Sequence, residues 1–206
     1  MLVACEFSGI VREAFAKKGW DAGSCDLLPT EIPSEKHIQD DVLKHLDDGW
    51  DLMIAHPPCT DLAVSGARYF KEKIADGRQA KAISFCEKLW AAPIWRIALE
   101  NPIGVLSTKS ILGKPTQIIQ PFQFGDAHYK STCLWLKNLP ILTPTKMVEP
   151  QFTVYKNSGK RVSLHHYETF FLPKDIRGHI RSKTFQGIAN AMAEQWTSAA
   201  KNGAGK

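Results

Sequence analysis

The chain has 206 residues, 44% of them hydrophobic and 23% charged, which is enough to bury a core in one generous domain without disulfides or a metal. Its formal net charge of +5 weakly favours polyanionic binding partners. Five scattered cysteines with no CxxC pair argue against a disulfide framework or a zinc site. Because no signal peptide and no run of about 18 apolar residues is found, we expect a cytoplasmic protein without membrane contact.

The first half of the chain alternates short apolar runs with segments of helical periodicity. Strands are predicted over residues 2–7, 22–28, 51–55 and 97–99, and helices over 10–19 and 61–90, the second with a break at Gly77. Strands that alternate with helices form right-handed βαβ units. The sequence therefore predicts an α/β fold with a mostly parallel sheet.

The second half of the chain has a different character. Two apolar runs at 118–122 and 132–136, joined by a polar turn, predict a hairpin. A helix is predicted over 184–197 and a frayed tail over 201–206. We therefore divide the chain into a core at 1–139, an irregular insert at 140–183 and a C-terminal part at 184–206 in which the helix returns to the core.

The third predicted strand breaks into two prolines and then presents Cys59. Proline fixes φ near −65° and has no backbone donor, so Pro57 and Pro58 end the strand and hold the next side chain in a rigid loop. Open α/β sheets carry their chemistry at the carboxyl ends of their strands. Cys59 is therefore the candidate nucleophile, although a buried and inert cysteine is the usual fate of this residue type.

Glu100 follows the fourth predicted strand as Cys59 follows the third. If these strands are neighbours in a parallel sheet, both side chains emerge into one crevice. A carboxylic acid in a dry crevice, with its pKa raised by burial, can protonate a substrate while a thiolate adds to it. We expect this arrangement of Cys59 and Glu100.

The run Glu6-Phe7-Ser8-Gly9 lies between the first strand and the first helix, where a glycine lets the backbone approach a ligand. A plain tight turn explains this run equally well. Asp26 stands at the end of the second strand, about 20 positions after the glycine loop begins, where an acidic residue accepts hydrogen bonds from a ribose diol. Asp41 could face the adenine of such a ligand, or cap a helix.

In their order along the chain, these motifs resemble those of the DNA cytosine-5 methyltransferases, particularly the small divergent members found in phages and prophages. The resemblance implies a Rossmann-like fold that binds S-adenosylmethionine. It implies cofactor contacts from the glycine loop, from Asp26 at the ribose, from Asp41 at the adenine and from Pro57. It further implies that Cys59 is the nucleophile and that Glu100, in a Glu-Asn-Pro sequence where the family has Glu-Asn-Val, protonates N3 of cytosine.

Two further segments resemble the same family more loosely. Lys130 falls on the first arginine of the family's Gln-x-Arg-x-Arg segment and is assigned a catalytic role beside the base. Asn190 resembles the asparagine of a Gly-Asn-x-Val motif that returns to the cofactor pocket, although its position is displaced. The mechanism implied by the resemblance is covalent, with Cys59 attacking C6 and the methyl group then passing to C5.

Three functions are consistent with these residues. The leading function is methylation of cytosine C5 in duplex or single-stranded DNA, of the kind used in restriction–modification. If the chain is phage-encoded, we expect this reaction in the cytoplasm of a bacterial host. The basic and aromatic composition of the 140–183 insert favours nucleic acid. The alternatives are modification of a free pyrimidine nucleotide such as dCMP, or of an RNA base, by the same chemistry, and a catalytically silent nucleic-acid-binding relative. No metal is expected, because neither a cysteine nor a paired carboxylate accompanies His165 and His166.

Overall fold

A seven-stranded sheet forms the centre of the computed structural model, which describes residues 1–203. Its strands are β1 (Leu2–Ala4), β2 (Gly23–Asp26), β3 (His37–Gln39), β4 (Leu52–Ala55), β5 (Arg96–Pro102), β6 (Gln117–Ile119) and β7 (Thr132–Lys137). They lie in the order β3-β2-β1-β4-β5-β7-β6, and β7 runs antiparallel to both of its neighbours. The first five strands are parallel, so their carboxyl ends meet at one edge of the sheet.

Seven α-helices and a second, two-stranded sheet complete the described part of the chain. The helices are α1 (Ile10–Ala16), α2 (Phe70–Ala75), α3 (Arg78–Trp90), α4 (Leu106–Lys109), α5 (Leu164–Phe170), α6 (Lys174–Ser182) and α7 (Gln186–Gly203). The small sheet pairs β8 (Phe152–Val154) with β9 (Arg161–Ser163). Short 3-10 helices cover Val42–Lys44, Val64–Tyr69 and Pro121–Gln123. Within this part of the chain no helix is both long and apolar enough to cross a membrane.

The core has two layers because successive residues of a strand point to opposite faces of the sheet. Val3 of β1 packs with α1 and α7 on one face, while Leu2 and Ala4 pack with α3 and α4 on the other. The strands are apolar on both faces, as is usual when helices cover both sides of a parallel sheet. The predicted α/β class with a mostly parallel sheet is confirmed.

Several predicted elements differ from the observed ones. The helix predicted over 61–90 begins as a 3-10 helix and is divided at Gly77, whose φ of +77° ends α2 and precedes α3. The strands of the predicted hairpin do pair, as β6 and β7, but residues 120–131 between them include a 3-10 helix instead of a tight turn. β3 was not predicted, because it is a three-residue edge strand with one apolar residue, Ile38.

The segment 140–183 has two parts. Residues 140–149 run along the core, where Leu142 N donates to Gln117 Oε1 over 2.8 Å and Val148 N donates to Phe122 O over 3.0 Å. The small sheet and helices α5 and α6 follow. Of the tail predicted over 201–206, the backbone of 201–203 continues α7 and residues 204–206 lie outside the described part.

Helix α7 begins where its backbone lies almost against another segment. A Cβ on Gly187 would lie 2.0 Å from Phe124 O, so only glycine allows this approach. The Gly187 N–H donates to Asp126 Oδ2 over 2.9 Å. Further along the helix Trp196 is fully buried, and its Nε1 donates to Pro140 O over 3.0 Å. Helix α7 therefore joins the core to the start of the segment that forms the insert.

Candidate active site

The register of β4 and β5 places the two candidate catalytic segments side by side. The strands are parallel neighbours with Ala55 opposite Leu99, so His56, the residue after β4, comes opposite Glu100, which lies within β5. His56 continues the sheet, because its backbone N donates to Ala4 O over 2.9 Å. Side chains at facing positions lie on the same face of a sheet. This register explains why the two loops end in one crevice.

The loop that carries Cys59 is held by groups from β5 and from its own backbone. Asn101, which is buried, donates from Nδ2 to Pro57 O over 2.9 Å. The carbonyl of Cys59 accepts from the backbone N of Leu62 and of Ala63, each over 3.0 Å. These contacts hold Cys59 at a defined place, although neither proline has a backbone N–H to donate.

A second connection ties the Cys59 loop to the segment after β5. Val105 N donates to Leu62 O and Val64 N donates to Ile103 O, each over 3.0 Å. The two backbones are so close that a Cβ on Gly104 would lie 2.2 Å from Leu62 O. The loops after β4 and β5 therefore form one unit.

A buried lysine stabilises the turn after Cys59. Lys73 of α2 donates to Thr60 O, and its Nζ lies 3.3 Å from Asp61 Oδ1. Gln79 of α3 donates to the backbone carbonyl of Asp61 over 3.3 Å. The turn is thus fixed from beneath by helices α2 and α3.

Cys59 and Glu100 line one cleft of about 310 Å³. Its floor comes from the loop after β4 and from the carboxyl end of β5, where Glu100 lies within the strand. Tyr129 and Lys130 form one wall, and the 140–183 segment forms the opposite wall through Ser163, His165, His166 and Arg181. Burial lowers the pKa of His165 to about 4, so this imidazole is neutral at physiological pH. The insert therefore closes over the residues expected to react.

The electrostatics of the cleft differ in one respect from expectation. Burial and the charge of Glu100 raise the pKa of the Cys59 thiol, and the charges of Lys130 and Lys73 oppose this. Burial also raises the pKa of Glu100, but the hydrogen bond and charge of His56, with the charge of Lys130, outweigh it and bring the pKa below its ordinary value. The raised pKa expected of Glu100 is wrong, because sequence reasoning did not include His56.

Lys130 connects the core to the insert. Its Nζ donates to Arg181 O at the end of α6 over 2.8 Å, and it lies 5.6 Å from the centre of the Phe185 ring. Arg181 in turn donates from Nε to Thr169 Oγ1 over 2.7 Å. Lys130 thus lines the cleft as a cation and also fixes the insert above Cys59.

A second cavity, of about 110 Å³, lies at the carboxyl ends of β1 and β2. Asp26, Asp41, Cys5 and Cys25 line it, and so does Pro58, which also lines the cleft that holds Cys59. The Pro-Pro-Cys loop is therefore the partition between two adjoining cavities.

The carboxylates of the second cavity suit a nucleoside. Asp26 Oδ1 accepts from Leu28 N over 2.9 Å, and Asp41 Oδ1 accepts from Leu43 N over 3.0 Å. Among the side chains of residues 1–200, the second oxygen of each carboxylate has no hydrogen-bond partner. Two such oxygens at a parallel sheet's carboxyl edge can accept from the hydroxyls of a ribose and from an exocyclic amine.

The glycine loop, residues 6–9, makes side-chain hydrogen bonds to the start of helix α1 and lines neither cavity. Glu6 accepts from the backbone N of Val11 over 2.7 Å and of Arg12 over 3.2 Å, and from Ser8 Oγ over 3.2 Å, so its carboxylate caps α1. Gly9 has φ of +75°, which a tight strand-to-helix turn requires. Phe7 is buried, and its ring centre lies 4.4 Å from that of His179 on α6.

Asn190 lies apart from both cavities. It is exposed on α7 and lines a separate groove of about 350 Å³ with residues from the carboxyl end of α1, among them Lys17 and Lys18. The carboxyl end of α1 is at the opposite edge of the sheet from Cys59. The structure thus brings Cys59, Glu100 and Lys130 together in one cleft. It brings Asp26 and Asp41 together in the adjoining cavity, with Pro57 and Pro58 between the two. Asn190 belongs to neither.

Sequence reasoning missed His56 and Lys73, and it counted Arg181 only among the basic residues of the insert, without a place beside Lys130. A histidine directly between an apolar strand and a proline pair was a usable signal for His56, since that position faces the edge where the strand ends. Neither Lys73 nor Arg181 has a local signal, because each reaches the site from a helix distant in sequence. Among residues 1–203, no cluster of three His, Cys, Asp or Glu side chains could hold a metal ion.

No protein-family model matches the chain, and no curated protein sequence matches it. Among solved structures, the chain is similar to a candidate DNA modification methyltransferase encoded within a prophage (E. coli), with a TM-score of 0.47 and 18% identity over 73% of this chain. The match spans 52% of the length of that protein. A likeness this distant assigns neither substrate nor reaction to this chain.

Proposed function

We propose that the protein is a methyltransferase that uses S-adenosylmethionine to methylate C5 of cytosine in DNA through a covalent bond between Cys59 and C6. One observation carries the proposal. Pro58 borders both the cavity with the paired aspartates and the cleft with Cys59 and Glu100, so a donor and an acceptor bound on its two sides would be adjacent. Transfer between two substrates requires such adjoining sites.

Asp26 and Asp41 would hold the nucleoside part of the donor, whose sulfonium supplies an electrophilic methyl group. The Cys59 thiolate attacks C6 of the pyrimidine, and the Sγ–C6 bond transiently makes C5 nucleophilic. Glu100 donates a hydrogen bond or a proton at N3 and stabilises the negative charge that arrives there. The walls of the cleft exclude water from the covalent adduct.

The placement of charge favours DNA as the acceptor. Residues 140–183 contain eight Lys or Arg and three Asp or Glu, a formal charge of +5, which equals that of the whole chain. The remaining residues are therefore balanced, and the positive charge is concentrated in the segment that covers the cleft. Phosphate contacts from such a surface position a polynucleotide over a site.

Aromatic side chains accompany these charges beside the cleft. Arg161 lies over the ring of Phe152 at 3.9 Å, and Phe152 lies 5.6 Å from Tyr129, which lines the cleft. A cytosine in duplex DNA must leave the base stack to reach Cys59, which costs a few kcal/mol. Aromatic faces at the mouth of the cleft can stack with the bases that remain.

The test is transfer of label from S-adenosylmethionine to duplex DNA, single-stranded DNA, RNA and dCMP in parallel. We expect label in DNA, and we expect Cys59→Ala to abolish both transfer and the covalent adduct with 5-fluorocytosine DNA. Cys86→Ala, which removes a buried thiol of α3 outside the cleft, should retain both. Label in dCMP or RNA alone would replace DNA as the substrate, and absence of S-adenosylmethionine binding by calorimetry would refute the methyltransferase.

A further inference from the structure

His56 and Glu100 form a pair whose side chains hydrogen-bond only to each other within residues 1–203. Nδ1 of His56 lies 3.1 Å from Oε2 of Glu100. The side chains are 7% and 19% exposed. Nε2 of His56 is buried and has no hydrogen-bond partner in the described part of the chain. No other side chain there competes for a proton held between these two residues.

The backbone fixes this pair in place. His56 is held in the sheet by its N–H bond to Ala4 O, and it faces Glu100 through the register that sets Ala55 opposite Leu99. The next residue on each strand is also joined, because Asn101 donates to Pro57 O. Neither side chain needs a flexible loop to reach the other. Both line the cleft that contains Cys59.

We propose that His56 is a positioning residue that stores the proton which Glu100 delivers to the pyrimidine ring. The proposal rests on the proposed function, since it assigns the source of a proton in that reaction. A carboxylate held as an ion cannot protonate N3 unless a neighbour supplies the proton. His56 is the one side chain in hydrogen-bonding contact with Glu100 among residues 1–203.

In the resting pair that we propose, one proton is shared between Nδ1 of His56 and Oε2 of Glu100, the two atoms that lie 3.1 Å apart. When Cys59 Sγ bonds to C6, the π electrons of the C5–C6 double bond form a C4–C5 double bond, and the π electrons of the C4–N3 double bond move onto N3. The Nδ1–H bond then breaks as an O–H bond forms on Glu100, and that O–H bond breaks as N3–H forms. After methyl transfer a base from solvent takes the C5 proton, the C5–C6 double bond re-forms as the Sγ–C6 bond breaks to give the Cys59 thiolate, and the N3 proton returns to the pair by the reverse of its earlier steps.

Other charged and titratable groups around the pair set its surroundings. Cys59 lies in the loop after β4, Lys130 in the loop before β7 and Cys133 in β7. Helices α2, α5 and α6 contribute the others, namely Lys73 of α2, His165 and His166 of α5, and Arg181 of α6. The charge of Lys130 favours the carboxylate form of Glu100, and burial together with the charge of Glu100 raises the pKa of the Cys59 and Cys133 thiols. His56 is distinguished from all of them by its hydrogen bond.

The first test uses the full chain without substrate. The carboxyl ¹³C resonance of Glu100, assigned with Glu100→Gln, is titrated in wild type, His56→Asn and His56→Leu. The pKa of Glu100 should lie below its ordinary value in wild type and above it in His56→Leu, because burial is then opposed only by Lys130. His56→Asn, which keeps a donor but no charge, should fall between them. An unchanged Glu100 titration in both variants would overturn the proposal.

The second test measures the pH dependence of methyl transfer. Loss of general acid catalysis costs about 10²-fold or more, so we expect His56→Asn to lower kcat by that factor with KM unchanged. The limb of the profile at high pH, where the pair loses its proton, should move to lower pH. His37→Asn, on β3 and hydrogen-bonded to Ser24, is the matched control and should keep the wild-type profile.

The two tests separate the proposal from the function on which it rests. If the Glu100 titration responds to His56 but wild type transfers no methyl group to any acceptor, the proton pair stands and the proposed function fails. If wild type is active and His56→Asn keeps both its kcat and its pH profile, the function stands and the storage of the proton on His56 is refuted.

Discussion

Cys59 is the one exposed thiol among the five cysteines, all of which the structure describes; Cys25, Cys86 and Cys133 are buried. Exposure alone does not make it reactive, because the burial of its surroundings and the charge of Glu100 raise its pKa. A thiol with a raised pKa is protected from oxidation and alkylation until it is deprotonated. The Cys59 thiol is therefore accessible but unreactive until it loses its proton, which suits a nucleophile that must attack only a bound base.

The raised pKa of Cys59 predicts slow alkylation. Iodoacetamide should modify Cys59 more slowly than a free thiol at neutral pH, with a rate that rises about tenfold per pH unit as the thiolate fraction grows. Lys130→Ala should slow the reaction further, since the charge of Lys130 lowers this pKa. Mass spectrometry of the peptide gives the rates, and Lys114→Ala, far from the cleft, should equal wild type. Faster alkylation of Lys130→Ala would contradict the assigned electrostatics.

At the scale of elements, the site depends on the close contact between the loops after β4 and β5. The approach at Gly104 leaves no room for a methyl group, while Gly178 in the middle of α6 has open space around its Cβ position. The two glycines therefore offer opposite tests of what a Cβ does. One lies in an interface between loops, the other in an exposed helix.

Gly104→Ala should destabilise the protein by about 1–3 kcal/mol, because a Cβ there forces the backbone of Leu62 away. It should also weaken formation of the Cys59 adduct. Gly178→Ala should stabilise the protein by up to about 1 kcal/mol through helix propensity. Urea unfolding measures both changes. Equal stability of the two variants would show that the loops separate without cost.

At the scale of the whole molecule, the insert contributes the net positive charge, while Cys59 and Glu100 lie in the core. Helix α6 is anchored to the core by Glu31, whose Oε1 lies 2.6 Å from His179 Nε2 and 2.7 Å from Lys183 Nζ. The Lys130–Arg181 contact anchors the same helix on the cleft side. An insert held at two places can hold a polynucleotide in a fixed orientation over Cys59.

Replacement of basic side chains in the insert should therefore weaken DNA binding and leave cofactor binding intact. We expect a variant with Lys156, Lys160, Lys174 and Arg177 changed to Gln to bind DNA with a smaller dependence on salt concentration, because fewer counterions are released. Binding of S-adenosylmethionine, measured by calorimetry, should not change. The matched control changes Lys17, Lys71, Lys88 and Lys114 of the core, and an equal loss of DNA binding in that variant would contradict the assignment.

The sequence was sufficient to predict the alternation of strands and helices and the Pro-Pro-Cys ending of β4. Apolar runs and prolines act locally, so β4, its Pro-Pro-Cys ending and the break at Gly77 follow from a few neighbouring residues. β3 could not be predicted, since three residues with a single apolar side chain form a strand only because β2 lies beside them. Long-range hydrogen bonds likewise decided that residues 140–149, predicted as part of the insert, run along the core.

For this protein, the sequence by itself determined the fold class, the stiff loop of Cys59 and the acidic residues at the ends of strands, because these depend on local sterics and on periodicity. Only the tertiary structure decided which of them meet. The register of β4 and β5 sets His56 against Glu100 and reverses the expected direction of its pKa, and the fold places Pro58 between two cavities while it leaves Asn190 at the opposite edge of the sheet. Electrostatic and covalent chemistry depends on distances of a few ångströms between residues far apart in the chain, and such distances exist only once the sheet has formed.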